Sequence, residues 1–302
     1  AALYNFGNAV FSAAGDTRKP LYILIAAGIL NVVLNLFFVI VCHLAEAGVA
    51  LASAISQWLS AGLVLFFLHR VHDSYGLNLR NVHFHASKVR LILPLGLSAA
   101  AQNAIFATAN LFIQSGVNTF DAVIVEGTAA AANADSLVYD VMAAIYTACS
   151  SFMSQNYGAG KRKRVLHSYL VAMGYSLGIG LIFGISLALF GRGFLRIFAT
   201  DADVIEAGLV RLQLMGFCYG FSAFMDCTIA ASRGLGKSII PTIIVILGSC
   251  VFRVAWVYTI FAYFNTIMSL YLVYIFSWTL TAIAEIIYFI HIYRGIAKRL
   301  GA

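Results

Sequence analysis

Charge is what this sequence has least of. Lys and Arg together number 19 and Asp and Glu 12 in 302 residues, so charged side chains make up 10% of the chain, where a soluble domain carries about a quarter. Proline is scarcer still, with three in all, so long helical stretches run unbroken. The five cysteines, Cys42, Cys149, Cys218, Cys227 and Cys250, are scattered without metal-ligand spacing. That excludes a zinc module and a disulfide framework and leaves them as packing residues, with no metal site and no cofactor expected. No paired His, HExxH, GxSxG or Ser-Lys dyad falls inside an apolar stretch, which argues against an intramembrane enzyme. The net charge of +7 does not indicate nucleic acid, because the basic residues sit between apolar stretches, as at a membrane surface.

What the sequence has in excess is apolar length. Hydrophobic residues make up 62% of it and the mean hydropathy is +0.90. A bilayer core needs about 20 mainly apolar residues as helix, and eight such stretches follow one another at 21–41, 47–68, 91–116, 124–153, 166–190, 206–231, 240–261 and 269–293. The expected class is an all-α, polytopic membrane protein. Residues 2–14 read as the last turns of a further helix, and with no initiator Met or charged n-region before them the chain is expected to be a piece of a longer one.

Basic residues set the expected orientation. If loop 15–20 is cytoplasmic, alternation places 69–90, 154–165, 232–239 and the C-terminus on the same side. Those segments hold Arg18, Lys19, Arg70, Arg80, Lys88, Arg90, Lys161, Arg162, Lys163, Arg164, Arg233, Lys237, Arg294, Lys298 and Arg299. Only Arg192 and Arg196 fall opposite, so the positive-inside rule puts the C-terminus in the cytoplasm; the expected location is the inner cell membrane. The tetrad Lys161–Arg164 fixes topology and is also suited to anionic lipid heads.

An internal repeat organises the chain. Gly15-Asp16-Thr17-Arg18-Lys19-Pro20 and Gly236-Lys237-Ser238-Ile239-Ile240-Pro241 both read G-[DK]-[ST]-x-x-P between two helices, 221 residues apart (236 − 15), and the same offset carries Ser56 onto Ser277. Glycine permits the reversal, Asp16 or Ser238 can cap the incoming helix, and proline suits its first turn. Equal helix counts after each motif imply two homologous six-helix bundles in parallel orientation, related by a pseudo-two-fold axis. The first is incomplete: about 135 residues of it lie outside this sequence, and the whole would have twelve helices in about 440 residues.

Polar side chains inside the spans mark the candidate site, because burying them in lipid is costly. Asn103, Asn110, Gln114 and Asn118 recur at steps of seven, four and four, with Gln102 beside them. Asn133, Ser136, Asp140, Thr147 and Ser151 form a second stripe, and Arg211, Cys218, Ser222, Asp226 and Arg233 a third. Three polar faces in one bundle suggest a substrate-lined interior; interhelical hydrogen bonding is the competing explanation for each amide or hydroxyl. Among ionisable groups, Asp140, Asp226 and Arg253 rank first by depth. Arg211 reads as snorkelling to the outer interface, Asp135 lies near the outer end of its span, and Glu285 near the inner end. Depth also predicts an Asp140–Arg253 pair in at least one state, with Asp226 the freer acid.

Several ordered runs resemble one known family. GDTRKPLYILIAAGILNVVLNLFFVI at 15–40, AGVALASAISQ at 47–57, LPLGLSAAAQNAIFATANLFIQSGVN at 93–118, SQNYGAGKRKRV at 154–165, SRGLGKSIIP at 232–241 and CVFRVAWVYTIF at 250–261 are similar to MATE multidrug exporters. The resemblance covers nearly the whole chain. It implies a secondary active exporter with two six-helix lobes around a cavity open alternately to either side, driven by inward sodium or proton movement. Residues 1–68 would then be the C-terminal part of the first lobe, 69–90 a cytoplasmic linker and 91–302 the second lobe. Substrate- or ion-binding candidates are Gln102, Asn103, Asn110, Gln114, Asn133, Asp140, Asp226 and Arg253. Many members place an essential aspartate in the first helix, which this sequence does not include, and some a glutamate in the seventh, where this chain has Gln102. Asp226, seven residues before Arg233-Gly234, looks like the acid found there in one bacterial branch. The partners implied are small-molecule substrates, chiefly organic cations, for which the 23 Phe and 15 Tyr supply attractive ring faces, together with membrane lipids. The alternative is a lipid-linked saccharide flippase of the same wider superfamily, which would need a more basic cavity.

Overall fold

A computed structural model describes residues 1–78 and 82–299, with side chains described up to residue 296. Arg80 and the side chains of Lys298 and Arg299, counted above among the loop cations, lie outside the described residues. Nine helices occur among those described: α1 (Ala2–Ala13), α2 (Arg18–Val41), α3 (Ala45–His69), α4 (Ala86–Val117), α5 (Ala122–Gly158), α6 (Arg162–Leu195), α7 (Ala202–Gly234), α8 (Ile239–Phe264) and α9 (Ile267–Arg299). The eight from α2 onward are long and apolar enough to cross a membrane. Outward faces carry Ile29, Trp58, Ile182 and Phe190, each more than 60% exposed. At about 25 cal/mol per Å² of apolar surface such faces are costly in water and at home in lipid.

The chain divides into two compact units, Ala1–His85 and Ala86–Ala302. In the first, Tyr4 and Phe11 of α1 pack with Ile23 of α2 and with Val64 and Leu68 of α3, and the Tyr4 hydroxyl donates to the Pro20 carbonyl at 3.1 Å. In the second, α7 is the most enclosed helix. Small side chains make that possible: Ala131 and Ala134 of α5 and Cys218, Ala223, Cys227 and Ala231 of α7 are fully buried. Where α6 crosses α7, a Cβ on Gly184 would run into the Gly216 carbonyl, so the two backbones touch only because both residues are glycine.

The two hinge motifs fold alike. Gly15 (φ +87°) and Gly236 (φ +74°) both adopt the left-handed conformation. Gly15 N–H bonds to Ser12 O and Asp16 N–H to Phe11 O; Gly236 N–H bonds to Arg233 O and Lys237 N–H to Ser232 O. These are Schellman-type terminations, equivalent atom for atom at the 221-residue offset. The capping expectation holds at one hinge only: Asp16 Oδ1 accepts from the Lys19 N–H at 3.4 Å, whereas Ser238 makes no side-chain cap bond. Asp16 also lies 2.9 Å from Lys19 Nζ, and that ammonium holds its carboxyl below the usual carboxylate range. The helices after the hinges share a second feature. Each carries π-helical turns at or near its C-terminal end, Phe37–Val41 in α2 and Val257–Phe261 in α8.

Candidate functional site

The polar stripes of α4, α5 and α7 meet α8 and α9 around a cavity of about 500 Å³ in the second unit. On α4, Gln102, Asn103, Phe106 and Asn110 face it at helical spacing; Asp135, Tyr139 and Asp140 do so from α5, and Arg211, Tyr219, Ser222 and Asp226 from α7. A five-residue α-helical stretch of α8 between two π segments, Phe252–Trp256, delivers Arg253, and α9 contributes Tyr274 and Trp278. π turns change the angular step along a helix, which re-aims the side chain between them.

Two arginines organise the wall. Arg211 places Nη2 2.6 Å and Nε 3.2 Å from Asp135 Oδ2, and the Tyr219 hydroxyl donates to the other carboxylate oxygen. Arg211 is therefore a buried, paired residue and does not snorkel; its guanidinium lies 5.2 Å from the Tyr271 ring and 5.4 Å from Tyr274. Arg253 is fully buried. Its Nε donates to Ser277 Oγ at 3.2 Å and its Nη1 to Asn110 Oδ1 at 3.0 Å. The Phe106, Tyr274 and Trp278 rings surround it at 4.7, 4.8 and 5.9 Å. Ring faces and neutral acceptors thus replace the carboxylate that a buried guanidinium would otherwise need.

The expected Asp140–Arg253 pair is not formed. Asp140 and Asp226 both line the cavity, and neither has an ion-pair partner among the described residues. Of the eight candidates, Gln102, Asn103, Asn110, Asp140, Asp226 and Arg253 converge on the cavity. Gln114 lies beyond it and donates to Asn118 Oδ1 at 2.9 Å. Asn133 opens instead on a separate depression with Glu126, Arg196 and Asp201. Gln102 is held in place, its Oε1 accepting from Arg233 Nη2 at 2.7 Å and Thr242 Oγ1 at 3.4 Å. The lining carries three acids, Asp135, Asp140 and Asp226, against two bases, Arg211 and Arg253. No group of three or more His, Cys, Asp or Glu that could hold a metal ion occurs among the described residues.

Comparison with known proteins agrees with this architecture. The chain is 28% identical over 218 residues to "Probable multidrug resistance protein YpnP" of Bacillus subtilis, covering 72% of this chain and 48% of that protein. It is 25% identical over 270 residues to "Probable multidrug resistance protein NorM" of Thermotoga maritima, covering 85% and 57%, and 28% identical over 222 residues to the "FAD transporter" of Shewanella oneidensis, covering 71% and 48%. The chain thus spans about half the length of the curated relatives it matches. Among solved structures, one described as an outward-facing conformation of a multidrug resistance MATE family transporter of the MOP superfamily superposes with a TM-score of 0.89 at 20% identity, covering 98% of this chain and 66% of the other. Another MOP superfamily transporter, from Pyrococcus furiosus, gives 0.90 at 20% identity, covering 97% and 66%. The MatE family model matches residues 94–259, more than half of the sequence and the whole polar wall from Gln102 to Arg253: the chain belongs to the MatE family.

Proposed function

We propose that the whole protein is a secondary active multidrug exporter of the inner cell membrane, with its C-terminus cytoplasmic. It exchanges an organic cation for an inward-moving sodium ion or proton by alternating access. The observation that carries this is the charge pattern of the cavity. The Asp135–Arg211 pair cancels internally, which leaves Asp140 and Asp226 facing one arginine, Arg253, whose charge its own aromatic and amide partners already accommodate. A cationic ligand is favoured by such a lining, and water-filled space around unpaired carboxylates suits reversible ion binding. Asp226 is assigned the coupling ion or the substrate cation. Energised cells expressing the whole protein should accumulate less ethidium than control cells, and collapse of the ion gradient should erase the difference. Asp226→Asn should abolish efflux while leaving the protein in the membrane; efflux at the wild-type rate by that variant would remove Asp226 from the mechanism.

A second class, export of an anion or translocation of a lipid-linked saccharide, is favoured by one observation: Arg253 Nη2 has no hydrogen-bond partner among the described residues. Unchanged dye accumulation across a panel of cations, with export of a flavin dinucleotide or a lipid-linked sugar, would support it.

A further inference from the structure

Glu285 lies outside the cavity and has no role in the site described above. It is fully buried, and both of its carboxyl oxygens lack any hydrogen-bond partner among the described residues. Its neighbours along the same face of α9 explain why. One turn before it, Ala282 packs in an apolar cluster with Met225 and Ile229 of α7 and Val245 of α8. One turn after it, Phe289 packs against Tyr169 with ring centroids 4.3 Å apart and the rings tilted by 34°. A carboxylate between two apolar patches has nothing to replace its hydration and is costly as an ion.

Among the described residues, the charged groups near Glu285 are Arg233 and Asp226 of α7. On its own helix Tyr288 is the adjacent titratable group. The Ile239–Val245 stretch that α8 packs against α9 holds no titratable residue; farther along α8 come Cys250 and Arg253, and Tyr169 of α6 lies beyond Phe289. Arg233 matters most, because it is a cation with unspent capacity: Nη2 holds Gln102 on the cavity wall, while Nε is buried and has no hydrogen-bond partner among the described residues.

We propose that Glu285 is a proton-binding site of this transporter, separate from the cavity and coupled to it through Arg233. A single proton is the ligand that fits, because the patches on either side offer no set of oxygens for a metal cation. When the proton is bound, Glu285 is a neutral acid and Arg233 stays on Gln102. When it leaves, the carboxylate has Arg233 as its one cationic neighbour among the described residues, and drawing the guanidinium across releases Gln102 from the cavity wall. Proton occupancy at one junction of helices thereby sets the position of a cavity side chain. The inference rests on the exporter reading only for its consequence in transport; the protonation itself is independent of it.

The test is infrared difference spectroscopy of the whole protein in lipid bilayers. Wild type should show a neutral-carboxyl band at pH 7 that Glu285→Gln loses. Where Glu285→Gln is not recovered in the membrane, Glu285→Asp serves, since it should shift the band rather than delete it. Arg233→Gln should hold the band to higher pH than wild type. In dye efflux, Glu285→Gln should lose the dependence on external pH. Neutral-carboxyl bands unchanged by both Glu285 substitutions would overturn the proposal. Absence of transport in wild type, with the band assigned to Glu285, would instead refute the exporter reading alone.

Discussion

At the scale of single residues, the cavity wall consists of charges neutralised by different means. Arg211 has a carboxylate, while Arg253 has an amide, a hydroxyl and three ring faces. The two arginines should therefore respond differently to loss of a nearby acid. Asp135→Asn strands a guanidinium whose side chain is 8% exposed and should cost about 3 kcal/mol, seen as a lower melting temperature of the protein in detergent. Adding Arg211→Gln should recover most of that loss. Asp140→Asn should leave the melting temperature unchanged, because no buried cation depends on it, whereas Asn110→Ala should cost about 1.5–3 kcal/mol by removing an acceptor from Arg253. Six of the eight residues read from the sequence as candidates line the cavity, because polar side chains on one face of an apolar span collect where helices enclose polar space. The pair that the sequence favoured in at least one state, Asp140–Arg253, is not the one formed in this structure, and the reason is geometric. The α5 helix is 37 residues long, about 55 Å at 1.5 Å per residue, so depth counted from its inner end is not depth in the bilayer. Counted from the N-caps of α5 and α7, Asp121 and Asp201, Asp135 and Arg211 differ in depth by only about 6 Å. That signal was present and pointed to the pair that forms.

At the scale of elements, helix ends and helix crossings were legible to different degrees. The G-x-[ST]-x-x-P hinges could be read directly, because a left-handed glycine followed by a first-turn proline leaves few other conformations. The π turns of α2 and α8 were not legible, since no residue type marks a π-helix; tertiary packing selects it. Nor did periodicity identify Gln114 and Asn133 as lying outside the cavity, because a stripe at helical spacing runs the length of a helix and gives no sign of where the cavity stops. The two kinds of glycine should differ in mutational cost. Gly236→Ala meets no neighbouring atom and incurs only the left-handed strain of an L-residue, about 1–2 kcal/mol. Gly184→Ala forces α6 off α7 at the Gly216 carbonyl and should lower the melting temperature further than Gly236→Ala does. Equal effects would mean that the α6–α7 crossing relaxes freely.

At the scale of the whole molecule, composition alone was enough to establish a helical membrane protein, and eight spans appear where hydropathy placed eight. Function was legible only as far as chemistry that sits in one bundle: a cavity with an excess of acid, aromatic faces and a buried arginine. The chain spans about half the length of the curated relatives it matches, so the decisive experiment uses the whole protein reconstituted in proteoliposomes. An imposed inward sodium or proton gradient should drive movement of a fluorescent organic cation in the opposite direction, and Asp226→Asn should abolish it while Asp140→Asn reduces it in part. Movement of a flavin dinucleotide under the same gradient, with no movement of the cation, would contradict the cation-export mechanism and assign Arg253 the leading role in substrate binding.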